Sequence, residues 1–208
     1  MLHAPGCMVV FFYEVEMRKN LGVIPAVFPM PVLMIGTYDE NGVVDVMNAA
    51  WGQICEMDRV MVCLSPEHKT TDNIRKIKAF TVGIADLPHM KEADFFGIAT
   101  GNRMSDKFER TGFTAEKSTF VNAPVIAEFP VTMECELLEQ VSTEFLTDVF
   151  VGKIVNVTAR EEVLDDKGEI DASKLQALIY DPFRKDYYVT GQRVGRAWSE
   201  GKPLMRQK

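Results

Sequence analysis

Short apolar runs separated by turn residues make up most of this chain, and their period changes from strand to helix in only a few places. From Pro31 the run PVLMIGTY reads as a buried strand, and DENG (Asp39 to Gly42) is a strong turn signal ahead of VVDVMN. This predicts a hairpin of Pro31 to Tyr38 with Val43 to Asn48. RVMVCL (Arg59 to Leu64) and AFTVGIA (Ala79 to Ala85) are two further strands, rich in Val, Ile and Phe. Between them TTDNIRKI (Thr70 to Ile77) places Ile74 and Ile77 on one face and predicts a short helix.

Downstream, KEADFFGIATG (Lys91 to Gly101) and SDKFERTG (Ser105 to Gly112) read as two helical segments, each stopped by a glycine, with Ser105 capping the second. VTMECELLEQV (Val131 to Val141) and FLTDVFVGKIVNVTA (Phe145 to Ala159) read as long strands. In the first, Met133, Cys135 and Leu137 alternate with Thr132, Glu134 and Glu136, the pattern of a half-buried strand. DDKG (Asp165 to Gly168) marks another turn, and YDPFRKDYYVTG (Tyr180 to Gly191) carries a final strand or two. Many strands joined by turns, with a few short helices, predict a mainly β fold: an antiparallel, closed β-barrel rather than a doubly wound sheet. A Rossmann fold requires a glycine-rich turn between strand and helix, and neither GxGxxG nor GxxxxGK[ST] occurs.

Composition narrows the setting. The 208 residues suffice for one domain with a full core, and 47% apolar with 25% charged residues is ordinary for a soluble globular protein. A net charge of −7 argues against general nucleic-acid binding, yet leaves room for a local basic pocket. The four cysteines, Cys7, Cys55, Cys63 and Cys135, form no Cys-x-x-Cys pair, so a disulfide framework is not expected and a reducing, cytoplasmic location is. MVVFFY (Met8 to Tyr13) is far shorter than the roughly 20 residues needed to span a bilayer and lacks the flanks of a signal peptide, so no membrane association is expected. Residues 1–16 read as an N-terminal extension, or alternatively an added edge strand, ahead of a domain at 17–208.

The candidate chemistry lies between Met47 and Thr71. MNAAWG (Met47 to Gly52) sets small residues beside one indole, so that a flat ring can lie against backbone. Asn48 both donates and accepts, which suits the polar edge of a flavin pyrimidine; Ala49, Ala50 and Gly52 permit close approach; Trp51 covers the ring or lines the wall. LSPEHKTT (Leu64 to Thr71) sets a lysine and two threonines at a helix start, with Pro66 at a first helical position or Thr70 as a second cap. Either choice leaves backbone N–H groups free for a phosphate. The competing readings are a solvated helix cap and a core tryptophan, and an inward-facing Asp72 would repel a phosphate. His3, His68 and His89 show no helix-ligand spacing with acids, so no metal site is expected. There is no G-x-S-x-G, and Asp165-Asp166 reads as solvated turn charge.

MNAAWG, LSPEHKTTDNI and GNRMSDKFERTGF (Gly101 to Phe113), in this order, with FPMPVLMIGTYDENG and NAPVIAEFP, resemble the flavin reductase-like, FMN-binding split-barrel proteins, especially the flavoredoxin type. The resemblance runs from about Met17 to the C-terminus. It implies a homodimer of split barrels with non-covalent FMN at or near the subunit interface. It also implies that Asn48, Ala49, Ala50 and Trp51 lie along the isoalloxazine, that Ser65, Lys69, Thr70 and Thr71 serve the phosphate and ribityl chain, and that Lys107 is a second phosphate cation. A plain exposed helix charge is the alternative for Lys107. With FMN carrying the chemistry, no catalytic side chain is required. The leading expectation is an NAD(P)H-dependent flavin reductase transferring hydride to flavin N5. The rivals are a flavoredoxin-type electron carrier served by a redox-protein partner and a non-catalytic flavin-binding module.

Overall fold

A computed structural model describes residues 18–142 and 147–206. The expected extension at 1–16, with His3 and Cys7, lies outside the described residues, as does the start of the predicted strand at Phe145.

β1 (Met30–Pro31) leads into β2 (Leu33–Tyr38), which pairs antiparallel with β3 (Val44–Ala49), Leu33 opposite Ala49 and Tyr38 opposite Val44. The turn between them is closed by Asp39, whose Oδ1 accepts from the N–H groups of Asn41 and Val43, each at 2.9 Å. Gly42 there adopts φ +78°, which a side chain would disfavour. β4 (Gly52–Glu56), unmarked in the sequence reading, pairs with β5 (Arg59–Leu64). Then come α1 (Lys69–Ile77) and β6 (Ala79–Ile84), followed by α2 (Met90–Ile98). The short hairpin β7 (Ala115–Lys117) and β8 (Pro124–Ile126) precedes the long pair β9 (Val131–Ser142) and β10 (Asp148–Ala159). After α3 (Ala172–Leu175) comes the hairpin β11 (Leu178–Asp181) and β12 (Asp186–Val189), which joins β1, and a short 3-10 helix follows at Lys202–Arg206. Among the described residues, no helix is long and apolar enough to cross a membrane.

The main sheet has seven strands in the order β3-β2-β6-β9-β10-β5-β4. This is the expected mainly β, split-barrel architecture; among the described residues its ladder runs between two edges. β3 and β4 are the two edges, and the chain steps from one to the other through Ala50 and Trp51. The sheet wraps around Leu33, Ile35, Val60, Val62, Phe80 and Phe150, all nearly inaccessible to solvent. The opposite face of β2 and β3 is buried too, because Val32, Met34 and Val46 meet α2 through Ala93 and Phe96. Burial on both faces explains why β2 reads as a continuous apolar run rather than an alternating one.

Two expectations fail locally. Ser105 to Gly112 is a set of turns with one 3-10 turn at Glu109–Thr111, and the residue before that turn is Phe108, so Ser105 caps no helix there. Lys107 and Phe108, adjacent in sequence, are both buried, Lys107 against Asp45 and Phe108 against Phe96. On β9, Thr132 and Glu134 are as buried as Cys135. The loop after β7 covers that face, and Glu134 accepts from the Ser118 hydroxyl and, at 2.6 Å, from the Asn156 amide. The supposed solvent side of the alternation is therefore a second buried surface.

Candidate functional site

At the open seam of the barrel the last residues of β3, the Ala50–Trp51 step and the end of β5 surround a cavity of about 350 Å³. Asn48, Ala49, Ala50, Trp51 and Ser65 all line it. Its far wall comes from elements distant in sequence: Asp94, Gly97 and Ile98 of α2, and Tyr180 and Tyr187 of the last hairpin. A second cavity of about 130 Å³ is lined by Asp45, Lys69, Thr70, Gly101 and Lys107. The two share Met47, Asn48, His68, Gly97 and Ile98 as lining residues, so they adjoin, and together they make a cleft with an apolar end and a charged end.

The charged end is built around the start of α1. The helix begins at Lys69, with His68 at the cap position, so Thr70 and Thr71 lie inside the first turn. Pro66 precedes the helix, and the amides of the first turn have no intrahelical acceptors. Asp72 faces outward and pairs with Lys76 at 3.0 Å, which removes it from the cleft. Both threonine hydroxyls point inward: Thr70 donates to Asp45 Oδ2 at 2.5 Å, and Thr71 donates to the Ser65 carbonyl at 2.7 Å. Thr71 is fully buried and stands behind the cleft rather than in its lining. Ser65 falls at the apolar end and not beside Lys69.

Lys107 is 3% exposed and ion-paired with Asp45 at 2.9 Å, above the ring of Phe96, so the reading of it as an exposed helix charge is replaced by a buried one. Lys69 reaches Asp39 at 3.4 Å. The loop after α2 is tied to the entrance of α1 where the Asn102 amide donates to the Glu67 carbonyl at 2.8 Å. Gly101 in that loop is a close-approach position, since a Cβ there would fall 2.5 Å from Asp45 Oδ1. Burial and the neighbouring Lys107 cation hold the His68 imidazole below its ordinary pKa.

At the apolar end the Asn48 nitrogen donates to the Ala93 carbonyl at 3.0 Å, so the side chain is already oriented by α2. Tyr187 donates its hydroxyl to Asp94 at 3.0 Å; burial, then Asp94, pushes its pKa up to about 12 despite a hydrogen bond from Asn48. Trp51 is half exposed at the rim. Asp45, Asp94, Gly97, Tyr180 and Tyr187 were not singled out from sequence. Of these only Gly97 carried a signal, as a glycine inside a helical pattern, where close approach is the usual reason; its Cβ would lie 3.3 Å from Asn48 Cβ.

A wider groove of about 400 Å³ on the other side of the sheet is lined by Ser118, Phe129, Glu134 and Arg160 among others. Its buried carboxylate is satisfied internally by Ser118 and Asn156, and it lacks the paired lysines and helix start of the cleft.

Residues 26–185 match the model of the flavin reductase-like domain. Among solved structures, the flavoredoxin of Desulfovibrio vulgaris (Miyazaki F) is 33% identical, covering 89% of this chain and 100% of its own, with a TM-score of 0.84. The flavoredoxin from Methanosarcina acetivorans is 24% identical over 90% of this chain and 100% of its own, with a TM-score of 0.82. An FMN-binding protein from Thermus thermophilus, solved with bound 1-cyclohex-2-enone, shares the fold at 20% identity and a TM-score of 0.70, over 87% of this chain and 99% of its own.

Proposed function

The chain belongs to the flavin reductase-like domain family, and we propose that it is an FMN-dependent oxidoreductase whose cleft holds the flavin ring at the barrel seam and the phosphate at the start of α1. The observation that carries this reading is that the two cavities adjoin through shared lining residues, one apolar and indole-flanked, the other lysine-flanked. The residues fit such a group. Asn48, Ala49 and Ala50 line the larger cavity, with the Asn48 amide oriented by the Ala93 carbonyl, and Lys69, Thr70 and Lys107 line the smaller one at the start of α1, where a phosphate would find cations and a helix N-terminus. When bound, FMN supplies hydride or single-electron acceptance at N5. The protein's own part is to orient the ring, exclude water from one face and hold the phosphate, with no catalytic side chain required.

In the first form of this function NAD(P)H delivers hydride to the flavin, as in a flavin reductase. A second form, exchange of electrons with a protein partner, is favoured by the 33% identity to a flavoredoxin and by the exposed apolar rim of Trp51 and Ile98 beside the cavity. Trp51, Ile54 and Met57, 52%, 54% and 93% exposed on and beside the edge strand β4, support a homodimer formed across this face. Flavin content of the purified protein tests the reading as a whole, and a chain that neither carries nor takes up FMN rejects it. Anaerobic mixing with NADH or NADPH then separates the two forms: rapid bleaching of the flavin supports the reductase, and its absence supports the carrier.

A further inference from the structure

Each lysine at the small cavity already has a carboxylate of its own. Lys107 Nζ lies 2.9 Å from Asp45 Oδ1, with side chains 4% and 3% exposed, and Lys69 Nζ lies 3.4 Å from Asp39 Oδ2, with side chains 21% and 19% exposed. Two cations therefore meet two anions before any ligand arrives. Burial and Lys107 hold the His68 imidazole below its ordinary pKa, which disfavours a third cation here.

Asp45 is placed to stay where it is. It projects from β3, accepts the Thr70 hydroxyl at 2.5 Å from α1, and lies beside Gly101 of the loop after α2, where a Cβ would fall 2.5 Å from its Oδ1. An incoming phosphate must then share the Lys107 ammonium with a fixed carboxylate, and at this depth like charges are screened very little. The threonines do not relieve the conflict: the Thr70 hydroxyl hydrogen is committed to Asp45 and the Thr71 hydroxyl hydrogen to Ser65.

We infer that Asp45, seconded by Asp39, is a built-in rival of the ligand phosphate, a specificity-determining residue that restrains affinity for the phosphomonoester so that the cofactor is held chiefly by its ring. This rests on the reading of the small cavity as the phosphate end of a flavin site. The resulting site favours an exchangeable FMN, and it discriminates little between a flavin with a phosphate and one without.

Riboflavin has the same ring and no phosphate, so the ratio of its Kd to that of FMN isolates the phosphate contribution. The experiment measures both constants on the full chain, at one ionic strength, for the parent, Asp45→Asn and Asp39→Asn. Asp45→Asn is expected to raise the preference for FMN about 10-fold or more, the size of one charge-assisted contact, with riboflavin affinity nearly unchanged. Asp39→Asn retains an acceptor for the turn amides and is expected to shift the ratio in the same direction by a smaller factor. A ratio that stays level or falls in Asp45→Asn overturns the inference, because the carboxylate then serves to aim Lys107 at the phosphate. Should Asp45→Asn not fold, Asp39→Asn decides by the same criterion. Flavins that both bind with an unshifted ratio reject this inference alone, whereas failure of the parent to bind either flavin rejects the proposed function and this inference with it.

Discussion

Tyr187 on β12 donates its hydroxyl to Asp94 on α2 at 3.0 Å, joining two residues that lie 93 positions apart in the chain and both line the apolar end of the cleft. Neither β12 nor α2 belongs to the seven-stranded sheet, so this bond helps to fix a wall that the barrel itself does not supply. Tyr187→Phe is expected to lower stability by about 0.5–1.5 kcal/mol, the usual net value of one hydrogen bond. Urea unfolding should show this as a lower midpoint with the slope unchanged. FMN affinity should weaken and the visible flavin spectrum should shift; an unaltered spectrum would place the ring away from that wall.

The buried pair of Lys107 and Asp45 makes a sharper stability prediction. Lys107→Met leaves a carboxylate buried without its cation, which costs about 3–5 kcal/mol in comparable sites. The double variant Asp45→Asn with Lys107→Met should regain most of that loss. A double-mutant cycle in denaturant measures it, and simple additivity of the two single losses would mean that the pair does not interact as the 2.9 Å separation requires.

At the charged end the roles of Lys69 and Thr71 separate. Lys69→Ala should weaken FMN while sparing riboflavin, by less than the roughly 10-fold of an unopposed charge-assisted contact because Lys69 is already paired with Asp39. Thr71→Val removes the bond to the Ser65 carbonyl and should instead cost about 1 kcal/mol of stability, affecting both flavins alike. Fluorescence titration with the two flavins distinguishes these outcomes. At the other end, Trp51→Ala should relieve quenching of flavin emission, and unchanged emission would place the indole off the ring.

His68 gives the pH dependence. Burial, then Lys107, lowers its pKa in the folded state, so the unfolded chain binds the proton more readily. Stability is therefore full above the ordinary histidine pKa and falls as the pH drops from that value toward the depressed one. In thermal unfolding between pH 8 and 5, His68→Gln should show a shallower decline than the parent. Parallel curves would mean that this imidazole does not titrate differently on folding.

Much of this arrangement is legible in the sequence where the interactions are local. The Asp39 to Gly42 turn determines the β2–β3 hairpin through contacts within five residues, and Ile74 identifies the buried face of α1 by spacing alone. Asp45 is different. Its meaning depends on Thr70 and on Lys107, which only the folded chain brings to it, and in sequence it is one acid in an apolar run. Ser105 to Gly112 ends at a glycine as a helix would, but the segment forms turns in which Lys107 reaches Asp45 and Phe108 reaches Phe96, contacts distant in sequence that the local signal does not contain. Thr132 and Glu134 show the same limit on β9: alternation identifies two faces and does not reveal that the β7 loop covers the second.

The step from β3 to β4 through Ala50 and Trp51 has a kinetic consequence. Both strands present an edge at the seam, and the route into the cleft runs along it. A ring can enter and leave by displacing side chains there, without breaking a rung between paired strands and without loosening Phe80 or Phe150 inside. Amide hydrogen exchange should report this as faster exchange at Ala50 and Trp51, between the paired strands, that slows when flavin is added, against an interior whose exchange is already slow without it. The barrel thus separates the rate at which its occupant turns over from the rate at which the fold itself opens.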